Sequence, residues 1–211
     1  MHITPLSIIF VARNRINICF CNRILSNYIT SCPWQKQHSY IVKRIGILSD
    51  THSYWDDRYA KYFEHCDEIW HAGDIGDESI IDRLEKIAPV VRAVYGNIDG
   101  ADLRRRLKPM EIFTTDGVKV MLTHIGGYPG KYAPGIRARL DLSAPQLFVD
   151  GHSHILKIVP DREFGLLHIN PGAAGKQGWQ TVRTLVIITI DTGVIKDAEV
   201  IELADDSPQK G

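Results

Sequence analysis

The sequence predicts a mixed α/β fold in four layers, an αββα sandwich of two mixed β-sheets flanked by helices. Three observations predict it. From residue 43 onward, short apolar runs alternate with amphipathic stretches, punctuated by Gly, Pro, Asn and Asp. Midway the pattern changes from strand-then-helix units, which build parallel sheet, to strands joined by tight turns. Apolar and charged fractions of 44% and 24% belong to an ordinary globular chain, and 211 residues suffice to bury a core.

Taken in order, residues 1–42 show no sustained period of either kind, only scattered apolar residues with Asn and Cys. They are expected to be an extension outside the main fold, with residues 43–203 as the domain and 204–211 as a flexible tail. The stretch from Pro5 to Ala12 has the look of a short signal core. Its basic residues Arg13 and Arg15 follow rather than precede it, so a cleaved signal is not expected. Nothing is apolar for long enough to span a bilayer.

Residues 45–48 form an apolar strand ending in Ser49-Asp50, and residues 56–65 read as a helix. Residues 68–71 make a second strand, closed by Ala72-Gly73-Asp74. The segment 77–87 is helical, since Ile80, Ile81, Leu84 and Ile87 share one face, Asp77 can cap it and Pro89 stops it. Residues 90–95 are the third strand, ending at Gly96-Asn97. Strands at 111–115 and 118–123 flank the hairpin dipeptide Asp116-Gly117. A helix is expected at 131–140, then strands at 147–149, 155–159, 165–169, 184–190 and 194–201.

Formal net charge is zero, so bulk electrostatics do not advertise a polyanionic partner. The basic run Arg104-Arg105-Arg106 with Lys108 is expected to be a solvated helix face. Cys19, Cys21 and Cys32 crowd the first stretch and Cys66 stands alone, with no paired CxxC spacing. A reducing, cytoplasmic compartment is the simplest home for such a chain.

The polar residues that end successive strands form a set: Asp50-Thr51-His52, Gly73-Asp74, Gly96-Asn97, Thr123-His124 and Gly151-His152-Ser153-His154. In α/β sheets, groups just past the carboxyl ends of strands converge on a ligand crevice. Each fragment alone is ordinary. Asp-x-His, Gly-Asp and Gly-Asn are common turns, and a single His after a strand is usually a satisfied core or rim residue. His152 and His154 are stronger, because two imidazoles two apart on extended chain point the same way. All five fragments occurring in order is what carries weight. Two Asp, one Asn and four His suit Mn²⁺, Fe²⁺, Zn²⁺ or Co²⁺, with no thiolate to favour a purely structural zinc. One ion rarely takes seven protein ligands, whereas two ions sharing a carboxylate can.

The order D-x-H, G-D, G-N-x-D, T-H and G-H-x-H resembles the calcineurin-like metallophosphoesterases, and above all their small bacterial and archaeal phosphodiesterase branch. The likeness spans residues 44–201, and Asn170-Pro171-Gly172 fits that branch's strand-end turn. The resemblance implies a phosphoric ester hydrolase in which a water between two divalent ions attacks a small phosphodiester. Mn²⁺ comes first among the ions, with Fe²⁺, Zn²⁺, Co²⁺ or Ni²⁺ as others that fit. It implies that Asp50, His52 and His154 hold the first ion, and Asn97, His124 and His152 the second, with Asp74 as the bridge. Asp74, Asn97 and His124 are then the catalytic set. An aspartate has the anionic pair of oxygens that bridging needs, and two such ions about 3.5–4 Å apart acidify a shared water.

One departure matters. Many relatives carry a proton-donating His after Gly-Asn, where this chain has Ile98. Substrates with good leaving groups are therefore expected. His71 is expected to be a buried strand residue bonded to backbone, and His65 and His168 structural or surface residues.

Two other functions share these motifs. A eukaryotic retromer subunit of the same branch is a protein-binding scaffold with a degraded metal site, whereas all seven ligands are present here. Repair nucleases carry capping domains and basic tracts, and this chain offers only the short arginine run. The resemblance also implies a homodimer or higher oligomer, and nothing calls for nucleic acid or membrane.

Overall fold

The computed structural model describes residues 7–12, 15–20 and 42–203. Two strands come first, β1 (Ser7–Ala12) and β2 (Arg15–Phe20). Strand–helix units follow: β3 (Lys43–Leu48), α1 (Arg58–Phe63), β4 (Glu68–His71), α2 (Glu78–Leu84), β5 (Val90–Ala93) and α3 (Ala101–Arg106). The second half contains β6 (Met110–Thr115), β7 (Val118–Thr123), a small hairpin of β8 (Gly127–Tyr128) and β9 (Lys131–Tyr132), and α4 (Ile136–Ser143). It closes with β10 (Leu147–Val149), β11 (Lys157–Asp161), β12 (Leu166–Asn170), β13 (Arg183–Asp191) and β14 (Val194–Leu203).

These strands build two mixed sheets, ordered β1-β2-β14-β13-β3-β4-β5 and β11-β12-β10-β7-β6. In the first, β3, β4 and β5 run parallel while β13 joins β3 antiparallel. In the second, β7, β10 and β12 are parallel, with β6 and β11 added as hairpin partners. Asp116 and Gly117 both take positive φ, 42° and 80°, as the β6–β7 turn requires.

Side-chain alternation on single strands decides the four layers. Ile45 and Ile47 of β3, Val186 and Ile188 of β13, Val120 and Leu122 of β7, and Leu147 and Val149 of β10 meet in one core between the sheets. Their neighbours point outward: Leu48, Leu185 and Ile187 pack under Phe63, Ile80, Ile81 and Leu84 of α1 and α2. Met121, Phe148 and Leu166 pack under Ile136 and Leu140 of α4. Gly46 has no side chain because a Cβ there would stand 2.5 Å from the Phe63 ring. Asp77 caps α2 by accepting from the Ser79 amide, as its position before the apolar stripe predicts.

One buried charge joins the two sheets. Glu68 of β4 accepts from Lys43 Nζ, Trp70 Nε1 at 2.8 Å, Thr115 Oγ1 at 2.7 Å and Arg92 Nε at 3.1 Å. Burial pushes this carboxyl up, but its four donors prevail and hold it at about 2.

The structure corrects two expectations. Residues 131–135 are not helix: Lys131 and Tyr132 pair with Tyr128 and Gly127, and Gly135 at φ 81° starts α4 one residue later. The arginine run is not wholly a solvated face, because Arg104 turns back onto the site, as described below.

Within the expected extension, β2 pairs antiparallel with β14 over Asn17, Ile16 and Arg15. Residues 1–6, 13–14 and 21–41, with Cys21 and Cys32, and the tail 204–211 lie outside the described residues. Cys66 is a buried free thiol, pushed up to about 11 by burial. Among the described residues no helix is long and apolar enough to cross a membrane.

Candidate metal centre

Strands β3, β4, β5, β7 and β10 all end at the same side of the sandwich, and the residues just beyond them face one another. The turns interlock through backbone hydrogen bonds, Asp50 N–H to Gly73 O at 3.0 Å, His52 N–H to Asp74 O at 3.0 Å and Gly151 N–H to His124 O at 3.0 Å. Asp50, His52, Asp74, His152 and His154 sit at positive φ, between 48° and 67°. Gly96 lets two turns touch, since a Cβ there would stand 2.0 Å from Asp74 Oδ1.

All seven strand-end residues converge. Asp50, His52 and His154 form one cluster, with ligand atoms all within 4.8 Å of one another. There His52 Nε2 lies 3.4 Å from His154 Nε2, which lies 3.1 Å from Asp50 Oδ1. Asp74, His124 and His152 form the second cluster. His124 Nε2 lies 3.2 Å from Asp74 Oδ1 and 3.1 Å from Asn97 Oδ1. Asp74 faces both clusters, because its Oδ2 is 3.9 Å from His52 Nε2. Its Oδ1 also accepts from the Ile98 amide at 3.1 Å.

The donor chemistry fits divalent cations. Asp50 Oδ1 is fully buried, and the group beside it is His154 Nε2 at 3.1 Å, which can donate to it only when the imidazole is protonated. An unsatisfied buried carboxylate oxygen is costly unless a cation meets it. The imidazoles are also oriented. His124 Nδ1 is 2.8 Å from the Ala72 carbonyl, which can only accept, so Nδ1 carries the proton and Nε2 presents its lone pair. His154 Nδ1 is 2.9 Å from Gln180 Oε1. Gln180 uses its amide nitrogen on the Gly175 and Gln177 carbonyls, so its oxygen is the end that faces the ring. Without a cation, the Asp50 carboxylate holds a proton on His154, pushing it up to about 9. Burial lowers His124, but its bond to Asp74 outweighs that and leaves it raised. Metal entry must displace these protons.

Three positioning residues escape the motif reading. Asp99 accepts the Gly76 amide on Oδ1 and the Gly96 amide on Oδ2, both at 2.7 Å, and so ties the turn after β4 to the turn after β5. Arg104 donates to the Asp99, Gly96 and Asn97 carbonyls at 2.7–3.1 Å and lies over the Tyr95 ring. Gln180 is the third. Asp99 stands inside the G-N-x-D fragment, but its partners are backbone amides that no sequence pattern displays.

The other described histidines, His71, His168 and His65, have partners outside the clusters. His71 is fully buried; Nδ1 accepts the Gly73 amide at 3.2 Å, so Nε2 donates to Thr51 Oγ1 at 2.9 Å. Burial lowers it to about 4, leaving a neutral ring. His168 is buried against Asp150, 3.0 Å away, and His65 is exposed beside Glu64.

Two adjoining clusters of oxygen and imidazole donors, set at the strand ends of a two-sheet sandwich, define a divalent-metal-binding hydrolase scaffold. The chain belongs to the calcineurin-like phosphoesterase superfamily, whose domain model matches residues 44–193. It is 36% identical over 140 residues to a probable metallophosphoesterase of Methanocaldococcus jannaschii, covering 61% of this chain and 67% of that protein. Its fold matches an archaeal phosphodiesterase structure with a TM-score of 0.57 at 25% identity, over 76% of this chain and 99% of the other. It also matches Vps29 of Entamoeba histolytica complexed with zinc, with a TM-score of 0.56 at 17% identity over 76% and 99% of the two chains. This is a metallophosphoesterase with the two-sheet fold of its family.

Proposed function

We propose that this chain hydrolyses phosphodiesters with two divalent cations, Mn²⁺ foremost, one in each cluster. The observation that carries the proposal is Asp74, whose two oxygens face the histidines of different clusters. Two bound cations acidify a water and neutralise charge that develops on the phosphate. Asp50, His52 and His154 would hold one, with His124, His152 and Asn97 at the other and Asp74 serving both. Asn97 is exposed at the cleft, and once its oxygen is engaged its amide N–H is a donor for a phosphate oxygen.

Among the described residues outside the donor set, no side chain stands ready to protonate a leaving alcohol. Ile98 occupies the position after Asn97, and both His71 nitrogens are committed to Gly73 and Thr51. Esters whose leaving group needs no proton should be the better substrates. The complete donor set favours catalysis over a scaffold role like that expected of a protein with a degraded site. A metal-supplemented screen tests this: nitrophenyl diesters should turn over with Mn²⁺ and stop with chelator. Asp74→Asn, nearly isosteric, should lose at least about a hundredfold in rate and bind less metal while staying folded. Full activity in metal-loaded Asp74→Asn would refute the shared-carboxylate role.

A further inference from the structure

We propose that a cavity beside His152 seats one aromatic ester arm of the substrate, so that the protein prefers phosphodiesters bearing a planar ring over those with small alkyl groups. This rests on the phosphodiesterase reading and names the part of the substrate that the metal clusters do not touch.

The cavity holds about 300 Å³ and shares His152 with the second cluster. A phosphate held at the second cluster lies beside His152, so one of its ester arms is within reach of the cavity. Much of the wall is carbon. Ile125, Tyr128, Tyr132 and Ile155 line it, and Ile125, Tyr128 and Ile155 are 45%, 41% and 62% exposed. Large apolar side chains gathered at the rim of a polar site mark a surface that a ligand covers. A phosphate monoester has no second arm to fill it.

The walls are set before any ligand arrives, which lowers the ordering cost of binding. Lys157 Nζ sits 3.8 Å from the Tyr128 ring centre and holds one ring. The Tyr132 hydroxyl donates to Asp161, and its ring packs edge-on against Phe148 and Phe164 at 6.0 and 5.8 Å. Gly127, at φ 84°, closes the β8–β9 hairpin so tightly that a Cβ there would stand 2.5 Å from Lys131 O. His168 also lines the cavity, and its Nδ1 has no partner among the described residues. Because Nε2 donates to Asp150, that nitrogen is an acceptor. A simple aryl group and a nucleobase share the planar chemistry.

The test uses the full chain loaded with Zn²⁺ and follows binding by NMR titration with dimethyl phosphate, diphenyl phosphate and a nucleoside 5′-methylphosphate. Diphenyl phosphate, the nucleoside ester or both should bind at least about tenfold more tightly than dimethyl phosphate. The tighter ligand should shift the amides of Gly126, Gly127 and Ala133. Tyr128→Ala and, separately, Ile155→Ser should cut the preference below about threefold while dimethyl phosphate binds as before. Which aromatic ester binds better tells aryl from nucleobase. Equal affinity for all three ligands in the unmodified protein, or amide shifts confined to the metal clusters, would overturn the proposal. So would a preference that both folded variants keep. Turnover is scored apart: a protein that binds the aromatic ester in this cavity and hydrolyses no diester would sink the catalytic reading and leave the cavity's assignment standing.

Discussion

Asp99→Asn is the substitution whose effect the structure states most directly. The native carboxylate accepts one backbone N–H on each oxygen, from Gly76 and from Gly96, both at 2.7 Å, and is 3% exposed. An amide offers one acceptor oxygen and one NH₂, so one of those backbone donors must face another donor. Loss of one charge-assisted bond, with a backbone N–H left stranded, costs about 2–4 kcal/mol. The amine should turn toward Gly76, whose bond is the less buried of the two. For a chain of this length that corresponds to a melting point lower by about 5–15 °C. Gly96 lies against Asp74 and the Asn97 turn hangs on the same clamp, so zinc affinity should also fall, by about 10- to 100-fold. Urea denaturation of the metal-free protein and competition with a chromophoric chelator measure the two effects. A variant within about 1 kcal/mol of the parent, with unchanged zinc affinity, would refute the clamp.

Three further outcomes are expected. Gln180→Leu frees the His154 tautomer and should weaken one of two bound cations by about 10- to 100-fold while the other holds, as read by stepwise metal titration. Glu68 is depressed in the fold, so its contribution is full above the unfolded carboxylate range and is lost as pH falls from about 4.5 toward 2. That loss amounts to roughly 3 kcal/mol, and Glu68→Gln should flatten this part of the stability–pH curve; an unchanged slope would assign the acid sensitivity elsewhere. A chain starting at Lys43 should keep metal-dependent activity, because among the described residues β2 meets β14 over three residue pairs. Precipitation of that chain would place residues 1–42 inside the folding unit.

What was legible in the sequence had a local cause. Each donor fragment follows an apolar run that is a strand by its own composition, so Asp50, Asp74, Asn97, His124 and His152 could be placed at strand ends without knowing the sheet order. The four layers were legible for the same reason, since βα units and hairpins bury different faces. The reading failed where a residue answers to something distant or to backbone. Lys131 and Tyr132 form a strand because a partner hairpin edge at Gly127 and Tyr128 receives them, and Pro134-Gly135 postpones the helix. Arg104 sits among arginines that do pair on the surface, Arg105 with Asp102 and Arg106 with Asp82 and Glu85. Only the fold of its own turn brings three carbonyls to its guanidinium. Gln180 belongs to no motif and acts across 26 positions on His154.

The left-handed backbone at five of the seven donors has a consequence for stability. Each non-glycine residue in that region costs about 1–2 kcal/mol, somewhat less for aspartate, so Asp50, His52, Asp74, His152 and His154 together carry on the order of 5 kcal/mol. That is comparable to the entire folding stability of a typical domain. Glycine at any of these positions would relax the chain and abolish a ligand in the same step. At His52, His152 and His154 that relaxation strands no backbone N–H, whereas Asp50 and Asp74 also accept the His152 and Ile98 amides. The site's geometry is thus held at a cost in backbone strain that the fold alone does not require.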